Sequence, residues 1–504
     1  MDYFEKISDN TIGKFIFIIA ILGLCLTTYI ALTNLGIWTD ELYSIFTTKY
    51  PYDYFVETII GDVHPPLYYY ILLFLNYVFK GVNPIIIGHI ASIIPLYLLF
   101  VIGYFTVRKR FGWLTFGLFS FFITFMPRFM FNYIEIRMYS WAMFFLTASF
   151  IYLIEVVNLP NYKNWILFTL FTIGSAYTHY YSAIGSVILY LGFLIYILFK
   201  NRQLLKGFIC SALIAIVSYI PWIPTILNQL NRHVNYWILP ITPKTIVSYF
   251  FFIFSPNEYY IVGNDLIPPT ILGCLLIIAL AILIIYSLKK RNESENKYAY
   301  AAILVAIMIP LVGILISIIR QPLFHYRYIF PGMGCFWLGI AMLLNKIENK
   351  RKIFTLFLII FLIIGFIGAY NFVDTEQNSE KSTKALNQTL DEKFEPNSAV
   401  IYSRNMFIKM AEFTPDEVNI LWMKENTSSD FKIEDRNVFY EIDAPPTSNI
   451  STIIKEKFNV THVYYVTDDG IWLKDHNISA KLINDYEIDP YGLLLDIPGI
   501  FELT

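Results

Sequence analysis

Long apolar runs separated by short charged or turn-forming breaks occupy most of this chain, and a more alternating pattern follows them. A helix crossing roughly 30 Å of hydrocarbon needs about 17–25 mostly apolar residues at about 1.5 Å each. On that measure eleven spans are predicted, at residues 15–33, 84–107, 113–131, 140–157, 164–178, 183–199, 207–222, 269–288, 299–319, 328–345 and 353–372. The apolar segment 67–80 (LYYYILLFLNYVFK) is only 14 residues long. It predicts a helix lying in the interface or dipping partway in. Beyond residue 372 the rhythm changes: 381–394 and 449–458 predict helices, and 398–403, 418–423, 437–442 and 460–467 predict extended segments. That alternation suggests a small soluble α/β domain over 373–504, appended to an all-α polytopic membrane body over 1–372.

Composition agrees. The 504 residues are 56% hydrophobic and 15% charged, with a mean hydropathy of +0.54. Soluble domains average about 25% charged residues, so a water-soluble enzyme, a disordered scaffold and a secreted disulfide miniprotein are excluded. Cys25, Cys210, Cys274 and Cys335 all lie in apolar stretches, which supports neither a disulfide framework nor a CxxC metal site. The net charge of −2 divides into +10 over residues 1–372 and −12 over residues 373–504. An acidic tail argues against nucleic acid as a partner.

Charge also orients the chain. With eleven spans and a cytoplasmic N-terminus, 17 Lys and Arg fall in short inside segments and seven in the longer outer segments before the tail. Cytoplasmic loops carry the excess of Lys and Arg. Making 67–80 a full span would put Arg108-Lys109-Arg110 outside. The reading is therefore a multi-pass cell-membrane protein, its first span an uncleaved anchor, with residues 34–83 as one long outer loop and the tail extracytoplasmic. Sequons at Asn387, Asn426, Asn449, Asn459 and Asn477 would then be accessible.

Ionisable residues near membrane depth are costly and mark function. Here they gather on the expected outer side, in five clusters. The first, Trp38-Thr-Asp-Glu-Leu-Tyr-Ser44, reads either as a helix start with Thr39 as N-cap or as the seat of a general base. Adjacent helical positions do not share a face, so Asp40 and Glu41 take different roles, one catalytic and one structural. The second, Gly61-Asp-Val-His-Pro-Pro-Leu-Tyr-Tyr69, is a helix N-terminus whose prolines hold His64 out of the helix, leaving it able to orient the base or meet a phosphate. Asp62 and His64 are too few ligands to assert a metal; no cofactor is assigned, and a divalent cation stays open. Glu135, Arg137 and Tyr139 sit in a very short turn between spans, where the two charges either pair with each other or serve a site. His179 and Tyr180 lie in another such turn, as site residues or as part of an aromatic belt. His325, Arg327 and Tyr328 open a span, and Arg suits bidentate phosphate binding.

Together the clusters offer a carboxylate base and two arginines beside apolar and aromatic walls. That suits transfer of a sugar from a lipid phosphate: the base deprotonates the acceptor and cations stabilise the leaving phosphate. Attack opposite the phosphate inverts the anomeric centre and needs one carboxylate rather than a retaining pair.

At these residues the chain resembles GT-C-fold glycosyltransferases of the protein O-mannosyltransferase-like superfamily, which includes bacterial aminoarabinose and lipopolysaccharide sugar transferases. Trp38–Ser44, His64-Pro-Pro-Leu-Tyr-Tyr69, Glu135-Ile-Arg-Met-Tyr139, Thr178-His-Tyr-Tyr-Ser182 and Arg327-Tyr-Ile-Phe-Pro331 occur in the family's order over about residues 15–335. The resemblance implies a polyprenyl- or dolichyl-phosphate-sugar donor, Asp40 at the position of the family's first-loop aspartate, and 67–80 as a juxtamembrane helix. The outer loop 223–268 is too short for the MIR domain of the protein mannosyltransferases proper. The expected activity is an inverting transferase acting on the bilayer's outer face, with a glycan, lipid or protein acceptor. Asp40 is the expected base, Arg137 and Arg327 hold the phosphate, and Glu135, His64 and His179 shape the sugar pocket. Glu41, Asp62, Tyr139, Tyr180, His325 and Tyr328 complete the substrate-binding set. A flippase of lipid-linked sugars is the alternative, but it calls for polar groups near the midplane, where the spans are apolar. A polysaccharide polymerase or ligase is the third reading, and it usually lacks a first-loop Asp-Glu pair.

Overall fold

The structure, a computed structural model, describes residues 9–231, 238, 240–256, 271–289, 296–347, 351–402, 414, 418–423, 440–442, 450–467, 479–484 and 499–503. Its helices run α1 (Asp9–Thr33), α2 (Thr39–Thr47), α3 (Tyr52–Gly61), α4 (Leu67–Val78), α5 (Pro84–Phe105) and α6 (Val107–Phe125). Then come α7 (Phe129–Ile134), α8 (Tyr139–Asn158), α9 (Tyr162–Thr178), α10 (Tyr180–Lys200), α11 (Leu205–Tyr219) and α12 (Ile223–Asn231). They are followed by α13 (Pro243–Phe254), α14 (Ile271–Lys289), α15 (Asn296–Ile319), α16 (Phe330–Asn345), α17 (Arg351–Lys393) and, in the tail, α18 (Ile450–Phe458).

Helices occupy the predicted apolar stretches, and among the described residues nine helical stretches are long and apolar enough to cross a membrane, with Arg202–Asn231 and Tyr326–Asn345 each taken as one. Two stretches fall short of that for physical reasons. The first turn of α6 holds Arg108, Lys109 and Arg110, and α9 has only 17 residues. The predicted span 113–131 is broken: α6 ends at Phe125, Pro127 follows, and Arg128 adopts a left-handed φ of 75° before α7 begins. The short apolar segment is a 12-residue helix, α4, entered from Pro66. The two helices expected at 353–372 and 381–394 are one continuous 43-residue helix, α17.

The chain divides into two compact units, one of residues 1–33, 59–82 and 86–374, the other of residues 34–58, 83–85 and 375–504. Within the first, α16 is the innermost element, with every side chain from Phe330 to Leu344 buried. Helices α1 and α6 cross closely in this unit. Gly13 lies against the backbone of Trp113 and Leu114, and Gly117 lies against the carbonyl of Gly13, so a Cβ at either position would collide with main chain. Small residues are what let two apolar helices approach this closely where no hydrophobic force separates protein from lipid.

In the second unit a six-stranded sheet has the order β3-β2-β1-β4-β6-β5. Its strands are β1 (Ser398–Tyr402), β2 (Asn419–Met423), β3 (Tyr440–Ile442), β4 (His462–Thr467), β5 (Ala480–Asn484) and β6 (Gly499–Leu503). The first four lie parallel, with Val400 opposite Ile420 and Tyr464, and β6 runs antiparallel to β4 and β5. Strand β1 is buried along its whole length, as the uninterrupted SAVIY run of a central parallel strand requires. Ile454 of α18 packs with Ala399, Ile401, Val463, Tyr465 and Leu503 to make this unit's core. Residue 403, residues 437–439 and three sequons (Asn426, Asn449 and Asn477) lie outside the described residues. Asn387 is on α17, and Asn459 takes a left-handed φ of 52° just after α18.

The α1–α6 crossing yields a test. Gly117→Leu should push α1 off α6 at a cost of about 1–3 kcal/mol, the usual penalty for overpacking. The check is the thermal unfolding midpoint in detergent, which should fall clearly below that of a Gly192→Leu control, a site where a Cβ meets open space.

Candidate functional site

The first-loop cluster begins with α2. Its opening turn holds Asp40 and Glu41, and the two carboxylates divide as their positions dictate. Buried Glu41 accepts a hydrogen bond from the backbone N–H of Trp38 at 3.0 Å, closing the helix start as an N3 glutamate does. The N-cap is Trp38, one residue earlier than the Thr39 expected from sequence. Asp40 is half-buried in the first turn, its backbone carbonyl accepting from Ser44 Oγ at 3.1 Å. Both residues lie in the second unit, where Asn34 Nδ2 donates to the Glu376 carbonyl at 2.8 Å.

The remaining expected site residues lie in the first unit and largely converge. Pro65 and Pro66 set the entry to α4, so buried His64 stays outside the helix while Tyr68 and Tyr69 are fully buried in its first turn. Tyr69 links two clusters: its hydroxyl donates to Asp62 Oδ2 at 2.7 Å and accepts from Arg137 Nη1 at 3.4 Å. Arg137 is 6% exposed and sits in the bend between α7 and α8, where its backbone N–H donates to the Glu135 backbone carbonyl at 2.7 Å.

Histidine 179 lies at the centre of an aromatic box. Its ring centroid is 5.3 Å from His64, 5.6 Å from Tyr139, 5.8 Å from Tyr181 and 5.1 Å from Tyr328. The Tyr181 and Tyr328 rings stack at 4.8 Å, and Tyr328 reaches His325 at 6.1 Å. The short helical turn Tyr326–Ile329 carries Arg327, whose guanidinium lies 5.8 Å from the Tyr326 ring. Tyr180 donates to Gln229 Oε1 at 2.5 Å, and the Gln229 amide in turn donates to the Asp62 carbonyl, so α10 and α12 brace the Asp62 turn.

Electrostatics give this assembly one character. Burial, then the Arg137 and Arg327 cations, hold His64 well below its ordinary pKa. Burial, then His64 and Arg137, do the same to His179, and burial followed by Arg327 does so to His325. Cations from two separate connections thus act on one buried, neutral imidazole. Among the described residues no three His, Cys, Asp or Glu side chains converge as a metal set.

No family model matches the chain, and no curated protein matches its sequence. Its fold does match known structures. ArnT, the aminoarabinose transferase of Cupriavidus metallidurans, superposes in its apo state with a TM-score of 0.59 at 9% identity, over 96% of this chain and 97% of that one. The fold is GT-C. The same transferase bound to undecaprenyl phosphate gives a TM-score of 0.58 at 9% identity over the same shares of both chains. The Archaeoglobus fulgidus oligosaccharyltransferase in its apo form gives 0.45 at 14% identity, covering 94% of this chain and 71% of that one.

Three residues of this GT-C chain were not singled out by sequence reasoning. Gln229 and Trp222, whose indole N–H donates to Tyr180 at 3.1 Å, look in sequence like parts of an amphipathic segment. Arg128 did carry a signal, as a cation after proline inside a supposed span. It is 5% exposed, its Nε donates to the Phe252 carbonyl at 3.0 Å, and its guanidinium lies 3.8 Å from the Phe252 ring, which pins the end of α13.

The buried histidines set a pH dependence. Unfolded histidine takes up a proton near about pH 6.5, while His64, His179 and His325 stay neutral in the fold until lower pH. Below about pH 6.5 the unfolded chain binds more protons, so stability is complete above that pH and declines as pH falls. The unfolding midpoint in detergent should drop between about pH 7 and pH 5, and His64→Gln should flatten the drop. A midpoint that holds constant or rises on acidification would contradict the neutral cluster.

Proposed function

We propose that this chain is an inverting glycosyltransferase that moves a sugar from a polyprenyl-phosphate donor to an acceptor hydroxyl on the extracytoplasmic face. The observation that carries this reading is the pair Arg137 and Arg327, both acting on His64, next to tyrosine and histidine rings that can face a sugar. A guanidinium is always charged and matches phosphate geometry through its fork of donors. Two of them acting on one imidazole suit an anion whose charge grows as its bond to the sugar breaks. The GT-C fold, shared with a transferase crystallised with undecaprenyl phosphate, supports a lipid-phosphate donor.

The mechanism is a single displacement. Asp40 takes the acceptor hydroxyl proton, the acceptor oxygen bonds the anomeric carbon, and the bond from that carbon to the phosphate oxygen breaks. The electron pair leaves with the lipid phosphate, where Arg137 and Arg327 receive it. Asp62, tied to Arg137 through Tyr69, orients that guanidinium. His64, Glu135 and Tyr139 line the sugar pocket, and Tyr180, His325 and Tyr328 support its walls. Glu41 keeps the first turn of α2 in place, which presents Asp40.

Asp40→Asn should retain lipid-phosphate binding while lowering turnover by about 10²–10⁴-fold, the usual contribution of general base catalysis. Arg137→Ala or Arg327→Ala should weaken donor binding and cut turnover by about 10²–10³-fold. The assay is transfer of radiolabelled sugar from membranes of a deletion strain that accumulates the prenyl-phosphate sugar. Full transfer by Asp40→Asn would remove Asp40 as the base.

A further inference from the structure

His179 does two things with its two nitrogens. The backbone N–H of Tyr181 points at Nδ1 at 3.2 Å, where His179 serves as the N-cap of α10. A backbone N–H can only donate, so Nδ1 must present its lone pair. The ring proton is therefore on Nε2, and the imidazole is the neutral tautomer. Yet His179 is 1% exposed, and Nε2 is buried with no hydrogen-bond partner among the described residues. A buried donor left unmade costs the desolvation of that group, and such exceptions call for an explanation. Around this imidazole stand the rings of His64, Tyr139 and Tyr328. Arg137 acts electrostatically on His179 and on His64, and Arg327 acts on His64 and on Tyr328.

We infer that His179 Nε2–H is a third hydrogen-bond donor to the phosphate of the lipid substrate, joining Arg137 and Arg327 on the leaving group. This rests on the donor reading above and adds a contact to it. An acceptor oxygen is what the orphaned N–H lacks, and the phosphate is the ligand group that two neighbouring guanidiniums would draw there. A neutral donor supplies a hydrogen bond without adding another positive charge to the cluster.

The two nitrogens can be separated by substitution. Asparagine at this position keeps an acceptor where Nδ1 stood and is a favoured N-cap, but it has nothing at Nε2. Glutamine reaches to the place of Nε2 with an amide N–H but gives up the cap. The experiment measures equilibrium binding of undecaprenyl phosphate and of undecaprenol to the full chain in detergent, together with unfolding temperature. The wild type should prefer the phosphorylated lipid. His179→Asn should lose about tenfold or more of its affinity for undecaprenyl phosphate, the size expected for a hydrogen bond to a charged group. Its undecaprenol binding and unfolding temperature should stay unchanged. His179→Gln should recover most of the phosphate affinity while unfolding at a lower temperature. Inorganic phosphate used alone should bind far more weakly than the lipid yet show the same loss in His179→Asn. The inference is overturned if His179→Asn binds undecaprenyl phosphate as the wild type does, or if it loses both lipids equally, which would mark a packing role. A wild type that does not discriminate between the two lipids overturns the donor reading, and this inference with it.

Discussion

The cost of holding a charge in hydrocarbon orders this molecule. Ionised groups survive in a bundle of apolar helices only where they reach water, pair, or meet a polar ligand. The chemistry is therefore pushed to helix ends and bends, and each connection contributes only a few groups. Asp62 and His64 come from the turn before α4, Arg137 from the bend between α7 and α8, His179 from the junction of α9 and α10, and Arg327 from the turn before α16. None of these segments is a site by itself. Packing of the helices behind them, with α16 fully enclosed, is what sets their relative positions.

That arrangement explains why tyrosine recurs. A tyrosine has an apolar body that tolerates the bundle and a hydroxyl that can donate and accept at its tip. Tyr69 uses both capacities, donating a hydrogen bond to Asp62 and accepting one from Arg137, so a half-buried carboxylate and a buried guanidinium are coupled through its hydroxyl. Tyr180 does the same between Trp222 and Gln229. These relays hold the charged groups at set positions, which the proposed displacement, developing charge on its leaving group, would need more than raw affinity.

Much of this was legible in the chain because hydrophobic length and sidedness of charge are strong signals. The apolar stretches, the short α4 and the gathering of ionisable residues in separate bends all follow from them. The failures have physical causes too. The break at residues 126–128 was marked by Pro127 and Arg128, but the apolar count on both sides outweighed two residues. Helix α17 continues past the change from apolar to polar composition because its hydrogen bonds close within the backbone whatever solvent surrounds them. Strands β5 and β6 are five residues each, at the antiparallel end of the sheet, and carry no alternation long enough to stand out. In the candidate site, residue types pointed to the charged candidates, while Gln229 and Trp222 became visible only once α12 lay beside the Asp62 turn.

The choice of histidine under the influence of these arginines has an electrostatic reason. The His64 and His179 rings are 5.3 Å apart. If both were charged, two unit charges at about that separation would repel by about 3 kcal/mol at an effective dielectric of about 20, before either arginine is counted. Burial and the neighbouring cations act in the same direction on both rings, so neutrality is enforced twice over. A lysine or third arginine in either place would add positive charge beside two guanidiniums, at a cost to stability. Neutral imidazole avoids this: its N–H is available when a ligand oxygen arrives and imposes no charge when none is there. On the proposed reading the two arginines supply long-range attraction for the phosphate while His179 supplies directional contact, and the fold bears the smaller cost of its orphaned N–H.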